Sequence, residues 1–138
     1  MRIGFFTDTF LPQRNGVVTS ILTTGKELVK RGHQVLVFCP KSNVKESFGM
    51  QVFSYPAVTF RPYPEFKIAV PRGKDKIAKL DIVHSHSPFT MGLFGWRVSK
   101  FQKIPRTTTF HTLLSEYVRY LPVLGKKIIE KVVWGYCE

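Results

Sequence analysis

Two histidines spaced two apart, His84 and His86, close one candidate strand of this chain, and a third, His111, closes another. Side chains two apart on a strand share a face, so His84 and His86 form a pair. Imidazoles gathered in this way can bind a metal, shuttle protons or hydrogen-bond a sugar. Metal binding is the weakest of these readings, because no carboxylate or cysteine stands at ligand spacing. Hydrogen bonding to a polar ligand suits His86 and His111, while His84, deeper in its strand, is placed to satisfy a buried backbone group. Asp8 directly follows the first apolar run. A carboxylate there can receive a sugar hydroxyl, act as a base, or accept backbone N–H bonds from its own loop. Asn15-Gly16-Val17 opens a helical pattern. Its glycine lets a ligand approach the backbone, and the first-turn N–H groups favour a phosphate or carboxylate. The alternative is an ordinary turn that needs a glycine. No Gly-x-Gly-x-x-Gly fingerprint accompanies it, which argues against a nicotinamide or flavin dehydrogenase.

The elements that must position these residues read as strands over 2–7, 34–39, 50–55, 81–86 and 106–110. The first, second and fourth open as nearly continuous apolar runs, the pattern of a covered, mostly parallel sheet. Val17, Val18, Ile21, Leu22, Leu28 and Val29 recur at helical spacing between the first two strands, and Gly32 stands just past the helix end. A second helix begins with Ser87 as N-cap and Pro88 as first helical residue. It carries Met91, Phe94, Val98 and Phe101 on one face and the small Gly92, Gly95 and Ser99 on another. The fold expected is α/β, an open, mostly parallel sheet flanked by helices. In such sheets ligands bind outside the carboxyl ends of the strands, where Asp8, Gly16, His86 and His111 would converge.

With 138 residues, 43% hydrophobic and 14% aromatic, the chain fits one domain with a real core. Cys39 and Cys137 form neither a disulfide framework nor a Cys-x-x-Cys metal pattern, so a reducing, cytoplasmic setting is the simplest. Thr7 and Asp8 interrupt the first apolar run, unlike the core of a signal peptide, and no stretch is long enough to span a bilayer. The outlier is charge: 21 Lys and Arg against 9 Asp and Glu, a formal +12. Such an excess implies an anionic partner: nucleic acid, an anionic membrane or a phosphorylated ligand. Phe60, Arg61, Tyr63, Phe66 and Lys67 interleave aromatics with cations beside prolines, as in an exposed loop that dips into lipid headgroups or stacks on bases. Residues 126–136 read as a basic amphipathic helix with Lys127, Lys131 and Trp134 beside an apolar side and no stop signal, as if the chain were cut there.

Taken together, three segments resemble the N-terminal domain of a retaining glycosyltransferase of family 4, with the two-domain GT-B architecture. They are Arg2 to Pro12 followed by Asn15 to Ser20, Asp81 to His86 leading into Gly92-Leu93, and His111-Thr112 followed by Glu116-Tyr117. Within the family the likeness is to diacylglycerol glucosyltransferases. The resemblance implies a Rossmann-like domain, one half of a GT-B fold, spanning 1–138 on the acceptor side. It implies a hexosyltransferase that moves sugar from a nucleotide-sugar such as UDP-glucose to a lipid acceptor, with no metal or resident cofactor. His111 would be the catalytic contact to the donor sugar, and Asn15, Gly16 and Val17 the donor-binding turn. Asp8, His86 and Glu116 would line the acceptor side. Phe60, Arg61, Tyr63, Phe66, Lys67, Lys127, Lys131 and Trp134 would meet an anionic membrane, making the protein cytoplasmic and peripheral on the inner face of the cell membrane. The C-terminal nucleotide-sugar domain is expected to be absent from this chain, which alone would have little or no activity.

Two other classes compete. A basic α/β module for nucleic acid fits the charge, but no helix-turn-helix, zinc-finger or ribonucleoprotein motif accompanies it, so no nucleic-acid partner is expected. Another doubly wound enzyme, such as an epimerase, would need a complete acid-base pair within this chain, and none is visible.

Overall fold

The computed structural model describes residues 1–59, 61 and 67–111. Strand β1 (Arg2–Phe6) lies between β2 (Gln34–Pro40) and β7 (Ile82–Ser85), parallel to both. Beyond β2 comes β4 (Met50–Tyr55), also parallel, edged by the short antiparallel β3 (Glu46–Ser47). Beyond β7 lies the parallel β8 (Arg106–Thr108). The order is therefore β3-β4-β2-β1-β7-β8, an open, mostly parallel α/β sheet as the apolar runs predict. The chain moves outward from β1 through β2 to β4, then returns to the other side of β1 with β7. That reversal leaves a crevice at the carboxyl ends of β1 and β7, where ligands bind in such sheets.

Alternation along β1 divides the core into two layers. Ile3 and Phe5 face helix α1 (Gly16–Lys30) in a layer with Ile21, Val35, Val37, Cys39 and Met50. Phe6 points the other way, toward α2 (Thr90–Gln102), in a layer with Leu36, Phe38, Leu80, Val83, Met91, Phe94 and Val98. Each such fully buried side chain is worth roughly 1.5–3 kcal/mol. The small face of α2 is needed for close approach, since a Cβ on Gly95 would stand 2.8 Å from Phe6 Cγ. Gly32 follows α1 with φ +81°, the left-handed conformation that ends helices without strain in glycine.

Three details differ from the sequence expectation. Helix α2 starts at Thr90 with Phe89 as N-cap, not at Ser87-Pro88, because the Ser87 hydroxyl is bonded to Asp8 instead of to the helix. Phe101 is 53% exposed and does not join the α2 core stripe; the Lys74 ammonium sits 5.4 Å from its ring centroid. The segment read as an exposed loop begins and ends as a two-stranded ribbon, β5 (Ala57–Thr59) against β6 (Lys67–Ala69). Phe60, Tyr63 and Phe66 lie outside the described residues, as do Glu116, Lys127, Lys131 and Trp134.

Candidate functional site

The loop after β1 is a folded platform. Thr7 Oγ1 donates to Thr9 O (2.8 Å), Thr9 Oγ1 to Gln13 Oε1 (2.6 Å), and Asn15 Nδ2 to Thr9 Oγ1 (2.9 Å). Phe10, buried in the α1 layer, anchors the loop from below. Asn15 then caps α1: its Oδ1 accepts from Val18 N–H (3.0 Å), and its carbonyl accepts from Thr19 N–H (3.0 Å). Among the described residues, no acceptor meets the N–H groups of Gly16 and Val17, and the first turn holds no acidic side chain. Gly16 is exposed, and a Cβ there would meet nothing within 4 Å. Arg14 is exposed beside it. An open helix N-terminus with two spare donors and a neighbouring cation favours an anionic group.

Asp8 sits at the switch point but faces inward. It is 4% exposed, and its carboxylate accepts from Ser87 Oγ (2.5 Å), Thr90 Oγ1 (2.6 Å) and Met91 N–H (3.0 Å). Its own N–H donates to Ser87 Oγ (2.9 Å). The end of β1 thus caps α2 from across the sheet, taking over the task that sequence assigns to Ser87. Burial holds the Asp8 carboxyl above the usual carboxylate range, against the opposing pull of its hydrogen bonds. Thr90 Oγ1 also accepts from Ala69 N–H (3.2 Å), so the same network ties the base of the β5–β6 ribbon to the crevice.

The histidines gather as the two-residue spacing predicts. His84 and His86 stack with ring centroids 4.2 Å apart, on the Phe5 side of the sheet that α1 also occupies. His86 is 3% exposed, and its Nδ1 lies 3.1 Å from His111 Nε2. Its own Nε2 is buried and has no hydrogen-bond partner among the described residues. His84 Nε2 pairs with Thr109 Oγ1 (2.7 Å), a side-chain partner where a backbone one was expected. His111 itself stands just past β8 and is half-buried. Burial first, then His84 and His111, push His86 down to about 3. His84 is lowered by burial and by His111, and His111 by burial. The trio is therefore neutral at pH 7 and offers hydrogen bonds without charge.

Topology brings the α1 N-terminus, His86 and His111 to the same carboxyl edge and the same face of the sheet, and it leaves Asp8 beneath them as support. Arg61 is exposed on the ribbon, while Lys67 turns its ammonium toward Lys41 O (3.4 Å). Ser87, Thr90 and Thr109 are the site residues that sequence reasoning missed. The hydroxyls flanking Pro88-Phe89 were the available signal. Among the described residues, no cluster of three or more His, Cys, Asp or Glu is arranged to hold a metal. Burial pushes the Cys39 thiol up to about 12, so it offers no nucleophile.

Residues 14–137 match the model of Glycosyltransferase Family 4. The chain belongs to this family. A family 4 assignment accords with an open parallel sheet whose polar residues meet at the strand ends, and it makes the domain one half of a GT-B fold. The alpha-monoglucosyldiacylglycerol synthase of Streptococcus pneumoniae is 41% identical over 99% of this chain and 33% of its own length. Its counterpart in Acholeplasma laidlawii is 35% identical over 96% of this chain and 37% of its own length. A GDP-mannose-dependent alpha-mannosyltransferase of Mycolicibacterium smegmatis is 26% identical over 99% of this chain and 38% of its own length. This family 4 chain thus spans about a third of the length of the curated relatives it matches.

Proposed function

We propose that this chain is the acceptor-side domain of a retaining glycosyltransferase that moves a sugar from a nucleotide-sugar to a diacylglycerol-type lipid. The observation that carries the reading is the juxtaposition, on one edge and face of the sheet, of an open helix N-terminus and a neutral histidine pair. Gly16 and Val17 would donate to a phosphate or sugar oxygen of the donor. With the α1 dipole they would balance the charge that develops on the leaving group, an electrostatic role that needs no metal. His111 would contact the transferred sugar, and His86 and Glu116 would line the acceptor side. Asp8, with all its carboxylate contacts made to protein groups, would hold the crevice without touching ligand. The lipid acceptor is supported by the names of the two most similar relatives described above. No resident cofactor is invoked, and the donor is a substrate.

The remainder of the site belongs to a second domain, supplied by further sequence or by a partner chain, so this polypeptide alone transfers little or no sugar. Its basic excess suits peripheral docking on the anionic inner face of the cell membrane, with Arg61, Lys67 and the neighbouring Phe60, Tyr63 and Phe66 as contacts, and Lys127, Lys131 and Trp134 as a second patch. No described helix is long and apolar enough to cross a bilayer. The test is glucose transfer from UDP-glucose to diacylglycerol in anionic vesicles, with this chain joined to the C-terminal two-thirds of the Streptococcus pneumoniae relative. Product that disappears with His111→Ala supports the assignment. A folded, vesicle-bound hybrid that hydrolyses or transfers nothing overturns it. Co-sedimentation of the 138-residue chain with vesicles of graded anionic content tests the docking arm. Binding must rise with anionic lipid, weaken with salt and need Phe60, Tyr63 and Phe66.

A further inference from the structure

We infer that His86 is a positioning residue whose Nδ1–H donates to His111 Nε2, fixing His111 as the tautomer whose remaining hydrogen-bond donor is Nδ1–H. The inference rests on the reading of His111 as the donor-sugar contact and adds which atom makes that contact and what it can recognise. Two neutral rings share the 3.1 Å contact between His86 Nδ1 and His111 Nε2, so one must donate and the other accept. If His111 donated, His86 would carry its proton on Nε2, the atom that is buried without a partner among the described residues. A buried orphan N–H is rarer than an under-satisfied acceptor. Of the rings against His86, Phe5 stands edge-to-face at 4.7 Å and offers a donor at most a π face, a second-order interaction, while His84, stacked nearly parallel at 4.2 Å, presents no face to an in-plane N–H. In the opposite arrangement the buried Nε2 is a bare acceptor, and His86 donates along a made hydrogen bond.

His111 then has no free lone pair on either ring nitrogen. It cannot take a proton from an acceptor hydroxyl; it can only donate, through Nδ1–H, to an oxygen. The ligand group it selects is therefore a hydrogen-bond acceptor, such as a sugar hydroxyl, ring or phosphate oxygen. Because the buried His86 ring packs against both Phe5 and His84, it holds its orientation, and with it the Nδ1–H direction, when the crevice fills.

Long-range proton–nitrogen correlation spectra of the full chain, labelled with 15N at its 4 histidines, read the tautomers directly. The expected result is Nδ1–H at both His86 and His111. His86→Asn, whose amide reproduces the Nδ1 donor, should keep His111 in that form. His86→Phe should return it toward the Nε2–H form that free imidazole side chains favour. Nε2–H at His111 in the unsubstituted chain, or a tautomer unmoved by His86→Phe in a folded variant, overturns the inference; if that variant does not fold, the unsubstituted spectrum still decides. Adding UDP-glucose to the joined hybrid, labelled in the same way, separates the two claims. A perturbed His111 Nδ1 supports both, whereas expected tautomers with a His111 silent to saturating UDP-glucose overturn the donor contact alone.

Discussion

Replacing Asp8 isolates the network that joins β1, α2 and the ribbon. Asp8→Ala removes the acceptor of three donors, of which Met91 N–H is fully buried and fixed by the helix, while the Ser87 and Thr90 hydroxyls can rotate toward other acceptors. An orphaned buried donor costs about 1–3 kcal/mol, and loss of a helix N-cap about 1 kcal/mol. The Met91 N–H term is the cap itself, so the two figures overlap. Two partly re-satisfied hydroxyls add roughly 1 kcal/mol. The expected loss is about 3 kcal/mol, or roughly 10 °C in melting temperature for a chain of this size. Asp8→Asn keeps an acceptor for Met91 N–H and places an amide donor beside Ser87 Oγ, which can accept it. Since asparagine imitates the neutral acid, its cost should be about 1 kcal/mol.

Urea unfolding followed by tryptophan fluorescence measures both variants, and amide exchange at Met91 and Ala69 localises the effect. A cap held from Asp8 predicts faster exchange at both amides in Asp8→Ala, because Thr90 Oγ1 links the ribbon to the same carboxylate. The pH dependence supplies an independent check. A carboxyl whose folded value is raised above 3.8 contributes stability that falls as pH rises through the raised value, and Asp8→Asn should remove that slope. Equal costs for alanine and asparagine, or a loss below about 1 kcal/mol for alanine, would refute the capping role.

Three further outcomes follow from single contacts. Gly95→Ala puts a Cβ 2.8 Å from Phe6 Cγ, so overpacking of about 1–3 kcal/mol should exceed the helix-propensity gain of about 1 kcal/mol, and chemical denaturation should show net destabilisation. Gly16→Ala meets nothing within 4 Å and should raise stability by about 0.5 kcal/mol while weakening UDP-glucose binding in calorimetric titration of the joined enzyme; unchanged affinity would remove Gly16 from the donor site. Buried His86, near 3 against an ordinary 6.5, contributes stability that is present above 6.5 and lost on acidification, about 2 kcal/mol by pH 5, and His86→Asn should flatten that part of the urea-midpoint profile.

Much of the architecture was legible because it depends on runs and periods. The β1 and β2 sequences are apolar on both faces, and β7 opens with Ile82-Val83 in the same way, the pattern of covered strands. The His84–His86 spacing placed both rings on one face, as found. What escaped was long-range pairing of small polar groups. Ser87 before Pro88 looks like an N-cap by local rules, yet the cap comes from Asp8, 83 residues before Met91, and no local pattern encodes a partner so distant. The ribbon escaped for a related reason: Val58 and Ile68 face each other only after the chain has turned through the aromatic-basic segment, and two three-residue strands show no measurable period.

The distribution of charge argues for two distinct modes of anion recognition in one domain. Cations such as Arg14, Lys41, Lys45 and Arg61 are exposed, where attraction is long-ranged, unspecific and screened by salt. The crevice side of the sheet instead holds three histidines kept uncharged by burial and one another, next to backbone amides with fixed directions. Charged imidazoles there would bind any phosphate that reached them, lipid headgroups included. Neutral donors respond to geometry, so under the proposed function they would meet a sugar while the surface cations met a membrane. It follows that salt should release the domain from anionic vesicles while leaving the histidine contact to UDP-glucose nearly unchanged. Joint loss of both at the same ionic strength would show that a single electrostatic surface serves both ligands.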